Sequence, residues 1–343
     1  MHPFEAILGY ELVSIAEYDV IEPLRYTETK RVQGAVEALL RPRKFPPPLL
    51  LYRGDSKDLL RSQLLPPDAG WQPDEVLYSR LFFFGQKARH FWMDDNESVS
   101  RRAWLKHLHD DSDSTFSWLF CNITRVLNYR ERRVKKFCEE NPSFATYFRD
   151  AANERQFITR AKSLKPISRQ AARDYYLHFL HTFGKRGVHK PTLLVSTSSD
   201  LAVAKRFSRA DGENVVVYLF VPAPYSKYCV STHLARLHLQ AVFAMGTPRY
   251  RRNSGLYPEQ KEYGLRGAVF PQLILGVHDQ PSDRFVVNPH LLTMYASGLA
   301  NLPRHGIWID QANFEQVIKE TGFLRYGAVD PGGLYHGYRR DPA

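Results

Sequence analysis

Cysteine is scarce, long apolar runs are missing, and none of the common nucleotide signatures occurs in this chain. Cys121, Cys138 and Cys229 are its three cysteines. An odd number at spacings that fit no zinc pattern argues against a disulfide framework and against a structural metal site. No apolar stretch approaches the ~20 residues of a spanning helix, so no membrane partner is expected. The first residues lack a basic segment followed by an apolar core. No signal peptide is therefore read, and a cytoplasmic location, or delivery into a target-cell cytoplasm, is expected. Internal repeats, Gly-x-Gly-x-x-Gly, a Walker loop and Gly-x-Ser-x-Gly are all lacking, which removes the usual dinucleotide, phosphate-loop and serine-hydrolase readings. His178 and His181, like His107 and His109, have no acidic companion of a known motif, so no metal is expected.

Positive charge is plentiful. The net charge is +11 over 343 residues, and 43% of the residues are hydrophobic. That length and composition suit one large or two modest globular domains. Between Leu81 and Thr192, 21 Lys+Arg stand against 12 Asp+Glu, so most of the excess lies there. The same stretch has helical periodicity over 98–109, 117–140, 144–163 and 168–183, broken at Pro142 and Pro166. The run from Arg130 to Lys136, with Arg155, Lys162 and Arg169 following at seven-residue spacing, gives a basic face. Such a face suits a phosphate backbone or an acidic partner, or is simply a solvated surface. Trp92, Trp104, Trp118, Tyr175, Tyr176 and Phe179 read as core.

Three short segments carry chemistry. Leu49 to Arg53 is an apolar run ending in a charge, then Gly54 and Asp55: a buried strand opening into a turn. Residues 193–197 are a second such run, leading through Ser196, Thr197 and Ser198 to Asp200, an N-cap for a short helix with Leu201, Val203, Ala204 and Phe207. Residues 215–221 are a clear strand stopped by Pro222. Glu262 follows Pro258-Glu259-Gln260-Lys261 and precedes a further strand pattern over 267–277. Taken singly, Arg53 is equally a surface ion pair, the serine cluster a capping turn and Glu262 a solvated charge.

Taken in order with their flanks, these segments resemble the mono-ADP-ribosyltransferases of the Arg–Ser–Glu type, the group that includes cholera-like and pierisin-like toxins. The resemblance covers residues 25–55 and 190–285. It implies an α+β fold with a core of two packed, mainly antiparallel sheets, flanking helices and a helical insertion. The core would be split over 1–80 and 191–300, the basic helical subdomain would fill 81–190, and a helix and tail would occupy 301–343. It also implies NAD as a consumed substrate. Glu262 would stabilise the oxocarbenium-like sugar, as a carboxylate does in glycoside hydrolysis. Ser196 would orient that carboxylate, with Thr197 and Ser198 completing the polar network. Arg53 would grip the pyrophosphate through its planar fork, Gly54 would let the nucleotide approach, and Phe207 would help hold NAD.

The acceptor is read from Gln260. Members that modify arginine resemble Glu-x-Glu, whereas Gln-x-Glu resembles those that modify a side-chain amide or a nucleic-acid base. The basic loop before it suits either acceptor. Arg249, Tyr250, Arg251, Arg252 and Tyr257 could clamp phosphates and stack on bases of single-stranded RNA or DNA, or meet an acidic protein. A toxin or effector with nucleic acid as partner is the first expectation, and an antitoxin or immunity protein would be a further partner. Transfer to a protein amide, NAD hydrolysis, and a non-catalytic binding protein on the same scaffold are the alternatives.

Overall fold

The computed structural model describes residues 4–15, 20–40, 48–65, 71–86, 107–184, 193–208, 213–221, 223, 225–231, 235–250, 258–293, 325–329 and 335–339. Trp92, Trp104, Arg251, Arg252, Tyr257 and most of the helix and tail expected over 301–343 lie outside these residues, as does most of the helix expected over 98–109. The architecture is mixed α+β. Its strands are β1 (Glu11–Ile15), β2 (Ile21–Pro23), β3 (Leu49–Ser56), β4 (Leu194–Ser198), β5 (Asn214–Val221), β6 (Cys229–Ser231), β7 (Glu262–Arg266), β8 (Ile274–Asp279), β9 (Arg284–Val287), β10 (Arg325–Val329) and β11 (Tyr335–Arg339). Its helices are α1 (Tyr26–Leu40), α2 (Lys57–Leu64), α3 (Asp74–Phe84), α4 (Asp113–Leu127), α5 (Arg132–Glu140), α6 (Pro142–Arg149), α7 (Asn153–Lys162), α8 (Pro166–Phe183), α9 (Leu201–Phe207), α10 (Ala235–Ala244) and α11 (Pro289–Thr293). The chain divides into two compact units. The first comprises Met1–Ala103, Ser196–Cys229 and Ala268–Ala343, the second Trp104–Val195 and Val230–Gly267.

In the first unit the strands run in the order β2-β1-β9-β8-β5-β3. β5 is central, antiparallel to both β3 and β8, and its residues from Val215 to Val221 are all buried. Cover on both faces explains why its sequence is continuously apolar instead of alternating. β1 and β9 pair in parallel, so the sheet is mixed. The family resemblance implies two packed sheets, whereas these strands form one hydrogen-bonded series. The strand expected over 267–277 is also interrupted. Gly267 takes a positive φ of 75°, a 3-10 turn follows at Pro271–Leu273, and regular pairing resumes only at Ile274. Lys57 ties α2 and α3 to the sheet. Its buried ammonium lies 2.6 Å from Asp74, 3.0 Å from Asp279 and 3.5 Å from Glu213. Burial alone would lower its proton affinity, but hydrogen bonds to Asp74 and Asp279 outweigh that and raise it.

The second unit is mostly helical. Each of the two long helices expected over 117–140 and 144–163 is a pair. α4 stops at Asn128, whose N–H turns back onto Arg125 and Val126, and α6 stops at Asp150, which adopts an extended conformation. The rings of Phe120, Phe148, Phe157 and Tyr176 pack edge-on or tilted at centroid distances of 5.1–5.7 Å. Tyr175, Tyr176 and Phe179 are buried as expected, while Trp118 is half-buried and stacks on His107.

The expected basic face is partly consumed inside this unit. Lys162 and Arg169 both pair with Asp113, at 3.4 and 2.7 Å. Arg133 donates to the Thr182 carbonyl and covers the Phe183 ring, and Lys136 lies 3.7 Å from Glu140. Arg130, Arg132 and Lys135 are exposed. The unit also takes in residues of 230–267. The physical reason is that α10 packs along α8 and Arg266 is buried against Asp174.

Candidate functional site

Arg53 and Ser196, 143 residues apart, meet in the first unit. Arg53 Nη1 donates to the Ser196 carbonyl at 2.8 Å. Chain register sets this up, because Tyr52 lies opposite Ser198 across β3 and β4. Arg53 and Asp55, two apart on one strand, share a face, and Nη2 lies 3.2 Å from Asp55 Oδ2. Gln86 completes the cluster. Its Oε1 accepts from Arg53 Nε at 2.8 Å, and its Nε2 donates to Asp55 Oδ2 at 2.5 Å and to Gln63 Oε1 at 3.2 Å. Gly85, at φ 70°, turns the chain out of α3 to put Gln86 there. The guanidinium has five N–H donors, and these bonds engage three of them, with its side chain 13% exposed.

Gly54 has a different role from the one expected. A Cβ there would sit 1.8 Å from the Ala204 carbonyl oxygen and 3.0 Å from the Ser208 nitrogen. The missing side chain therefore admits α9. Both obstacles are backbone, so Gly54→Ala should cost about 1–3 kcal/mol, as overpacking does. A denaturant midpoint equal to that of the parent would contradict this seating of α9. Asp200 caps α9 as expected, accepting from Ala202 N–H at 3.0 Å. Ser198 Oγ accepts from Asp200 N–H at 3.0 Å, so this serine shapes the capping turn. Thr197 and Ser198 are buried, Ser196 is half-buried, and the Phe207 ring is 56% exposed.

Gln260 and Glu262 belong to the second unit. Gln260 ends a 3-10 turn and Glu262 begins β7. Lys261 between them takes a positive φ of 44°, a conformation costly for a residue with a side chain and one that clusters at functional sites. The Glu262 side chain is 19% exposed, and its Oε1 lies 3.5 Å from His181 Nε2 on α8. His178, one turn earlier, is buried. Burial, then His181, push its titration down to about 4 against a smaller upward pull from Glu262. His109 and His238 are also lowered, chiefly by burial.

These rings give the unit a pH-dependent stability. Unfolded, each titrates near 6.5; folded, each stays neutral to lower pH. The unfolded chain thus binds more protons below about pH 6.5, and stability falls as pH drops through that window toward about 4. Denaturation midpoints should be level above about pH 7 and decline steadily below about pH 6. A midpoint that does not move on acidification would mean that the imidazoles take up protons in the fold as readily as in the unfolded chain.

Of the expected acceptor loop, Arg249 and Tyr250 are described. Arg249 is exposed, its guanidinium 5.5 Å from the centre of the Phe243 ring. Tyr250 is not available for stacking on an acceptor. It is 7% exposed, its ring packs on Tyr175, Phe144, Phe137 and Phe179 at 4.6–5.8 Å, and its N–H donates to Tyr175 Oη. An apolar pocket built by four rings outweighs any exposed use of this tyrosine.

Gln86, Asp55, His178 and His181 are the residues around the candidates that motif order did not single out as site residues. Asp55 was legible as the i+2 partner of Arg53; the others come from distant segments. Among the described residues, no group of three or more His, Cys, Asp or Glu side chains is placed to hold a metal, and no helix is long and apolar enough to cross a membrane. The chain matches no family model, no curated protein and no solved structure.

Proposed function

We propose that this protein is an ADP-ribosyltransferase of the Arg–Ser–Glu type, with the corresponding core. It breaks the bond between nicotinamide and ribose in NAD and joins the ribose to an acceptor. The observation that carries this reading is the hydrogen bond from Arg53 to the strand of Ser196, which joins two of the three ordered segments. The two N–H groups of Arg53 not engaged by Gln86, Ser196 and Asp55 are the ones left for a pyrophosphate. Asp55 and Gln86 hold the fork rigid, so little entropy remains to be lost on binding. Glu262, an acidic group at the start of β7, supplies the charge that matters as the sugar becomes cationic. Gln260 presents an amide that both donates and accepts, a match for an amide or a base edge and a poor match for a guanidinium.

A nucleic-acid base is the first acceptor, on the strength of Gln260, exposed Arg249 and the exposed cations Arg130, Arg132 and Lys135. The burial of Tyr250 and the pairing of Lys162 and Arg169 favour the second reading, a protein side-chain amide. Incubation with labelled NAD and cell lysate decides between them. Label lost to nuclease marks a nucleic acid, label lost to protease marks a protein, and no nicotinamide release removes the enzymatic reading. Gln260→Ala should abolish labelling of the acceptor while slow NAD hydrolysis continues. If nicotinamide release falls in parallel with labelling, Gln260 serves NAD instead of the acceptor.

A further inference from the structure

Asp174, His178 and His181 lie at positions i, i+4 and i+7 of α8, which places them on one helix face. Glu262 and Arg266 are four residues apart on β7 and so share one face of the strand. The two faces are joined at both ends. Arg266 Nη2 lies 2.8 Å from both oxygens of Asp174, and His181 Nε2 lies 3.5 Å from Glu262 Oε1. Seven residues of helix span about 10 Å and four residues of strand about 13 Å, so one register satisfies both pairs. The polarity is reversed between the ends, with the acid on the helix at one and on the strand at the other. The Arg266 end is rigid and buried, and it fixes how far along α8 the start of β7 falls. His178 lies between the ends with its ring uncharged at neutral pH, so the imidazole at the Glu262 end is that of His181.

We infer that His181 is a positioning residue for Glu262: its ring nitrogen donates toward Oε1 and holds the half-buried carboxylate in one orientation. This rests on the transferase reading. A carboxylate turned by an ångström from the developing charge loses much of its effect.

The test compares two replacements of similar size in the full-length protein. His181→Gln keeps a nitrogen donor near the Nε2 position, and His181→Met removes it. His181→Met should lower kcat for nicotinamide release about tenfold to a hundredfold with KM for NAD unchanged, and His181→Gln should retain most of the rate. In a Glu262→Gln background the Met replacement should add no further loss, because the group it positions is already gone. A purely structural role would instead make Met and Gln alike and would persist in that background. Should His181→Met fail to fold, His181→Asn, whose shorter amide falls away from Glu262, takes its place. Wild-type protein that releases no nicotinamide overturns the transferase reading and this inference with it. Wild-type release with equal rates in the donor and non-donor variants overturns this inference alone.

Discussion

Glu262→Gln should lower the rate of nicotinamide release about a thousandfold, a loss of about 4 kcal/mol of transition-state stabilisation. The substitution keeps shape and hydrogen-bonding capacity and removes only the charge. The ground state of NAD carries little need for that charge at the ribose, so NAD affinity should change little. This separation of kcat from binding is the mark of a group that acts only on the transition state. The side chain is 19% exposed, so the fold should tolerate the change. Steady-state release of nicotinamide with parallel NAD titration measures both quantities. A variant that turns over at nearly the parental rate would remove Glu262 from the mechanism, and the Arg–Ser–Glu reading with it.

Asp174→Ala should have the largest effect on stability. Asp174 is buried between two arginines: Arg266 reaches it at 2.8 Å and Arg173 at 2.9 Å. Burial raises the proton affinity of its carboxyl, but Arg173 and Arg266 together overcome this and hold it below the ordinary range. Removing the carboxylate leaves two guanidinium groups in the interior without their counter-charge. Breaking a buried pair in this way costs about 3–5 kcal/mol, more than the pair contributes over an apolar replacement. Because the folded carboxyl titrates low, its contribution is present above its unfolded value and is lost as pH falls through the folded one. Denaturant melts at neutral pH measure the first effect. A loss below about 1 kcal/mol would mean that water already reaches the pair. Glu262 should suffer as well, since the same pair fixes the register of β7 on α8.

Local rules made several elements legible. Continuous apolar runs marked β3 and β5, and Asp200 followed by an apolar pattern marked the start of α9. Pro166 marked a break in the helical pattern and stands at the first position of α8. Each depends on residues within a few positions of one another, where periodicity, capping and backbone restriction act. Loop breaks were less legible. Nothing in the composition at Asn128 or Asp150 forbids helix, and the chain turns there because its aromatic faces must meet in one core.

The order of Arg53, Ser196 and Glu262 was visible in the sequence, but the use made of each neighbour was not. Gly54 read as room for a ligand and proved to be room for the Ala204 carbonyl. Tyr250 read as a stacking platform and proved to be core. Lys162 and Arg169 read as a basic stripe, yet both turn to Asp113. Gln86 reaches Arg53 across 33 positions, and His181 reaches Glu262 across a still longer stretch of chain. Sequence by itself determined which groups are available and which strands and helices hold them. Tertiary structure decided which polar groups pair, because a buried charge takes whatever partner packing brings within about 3 Å, and that partner's place in the chain is set by the fold.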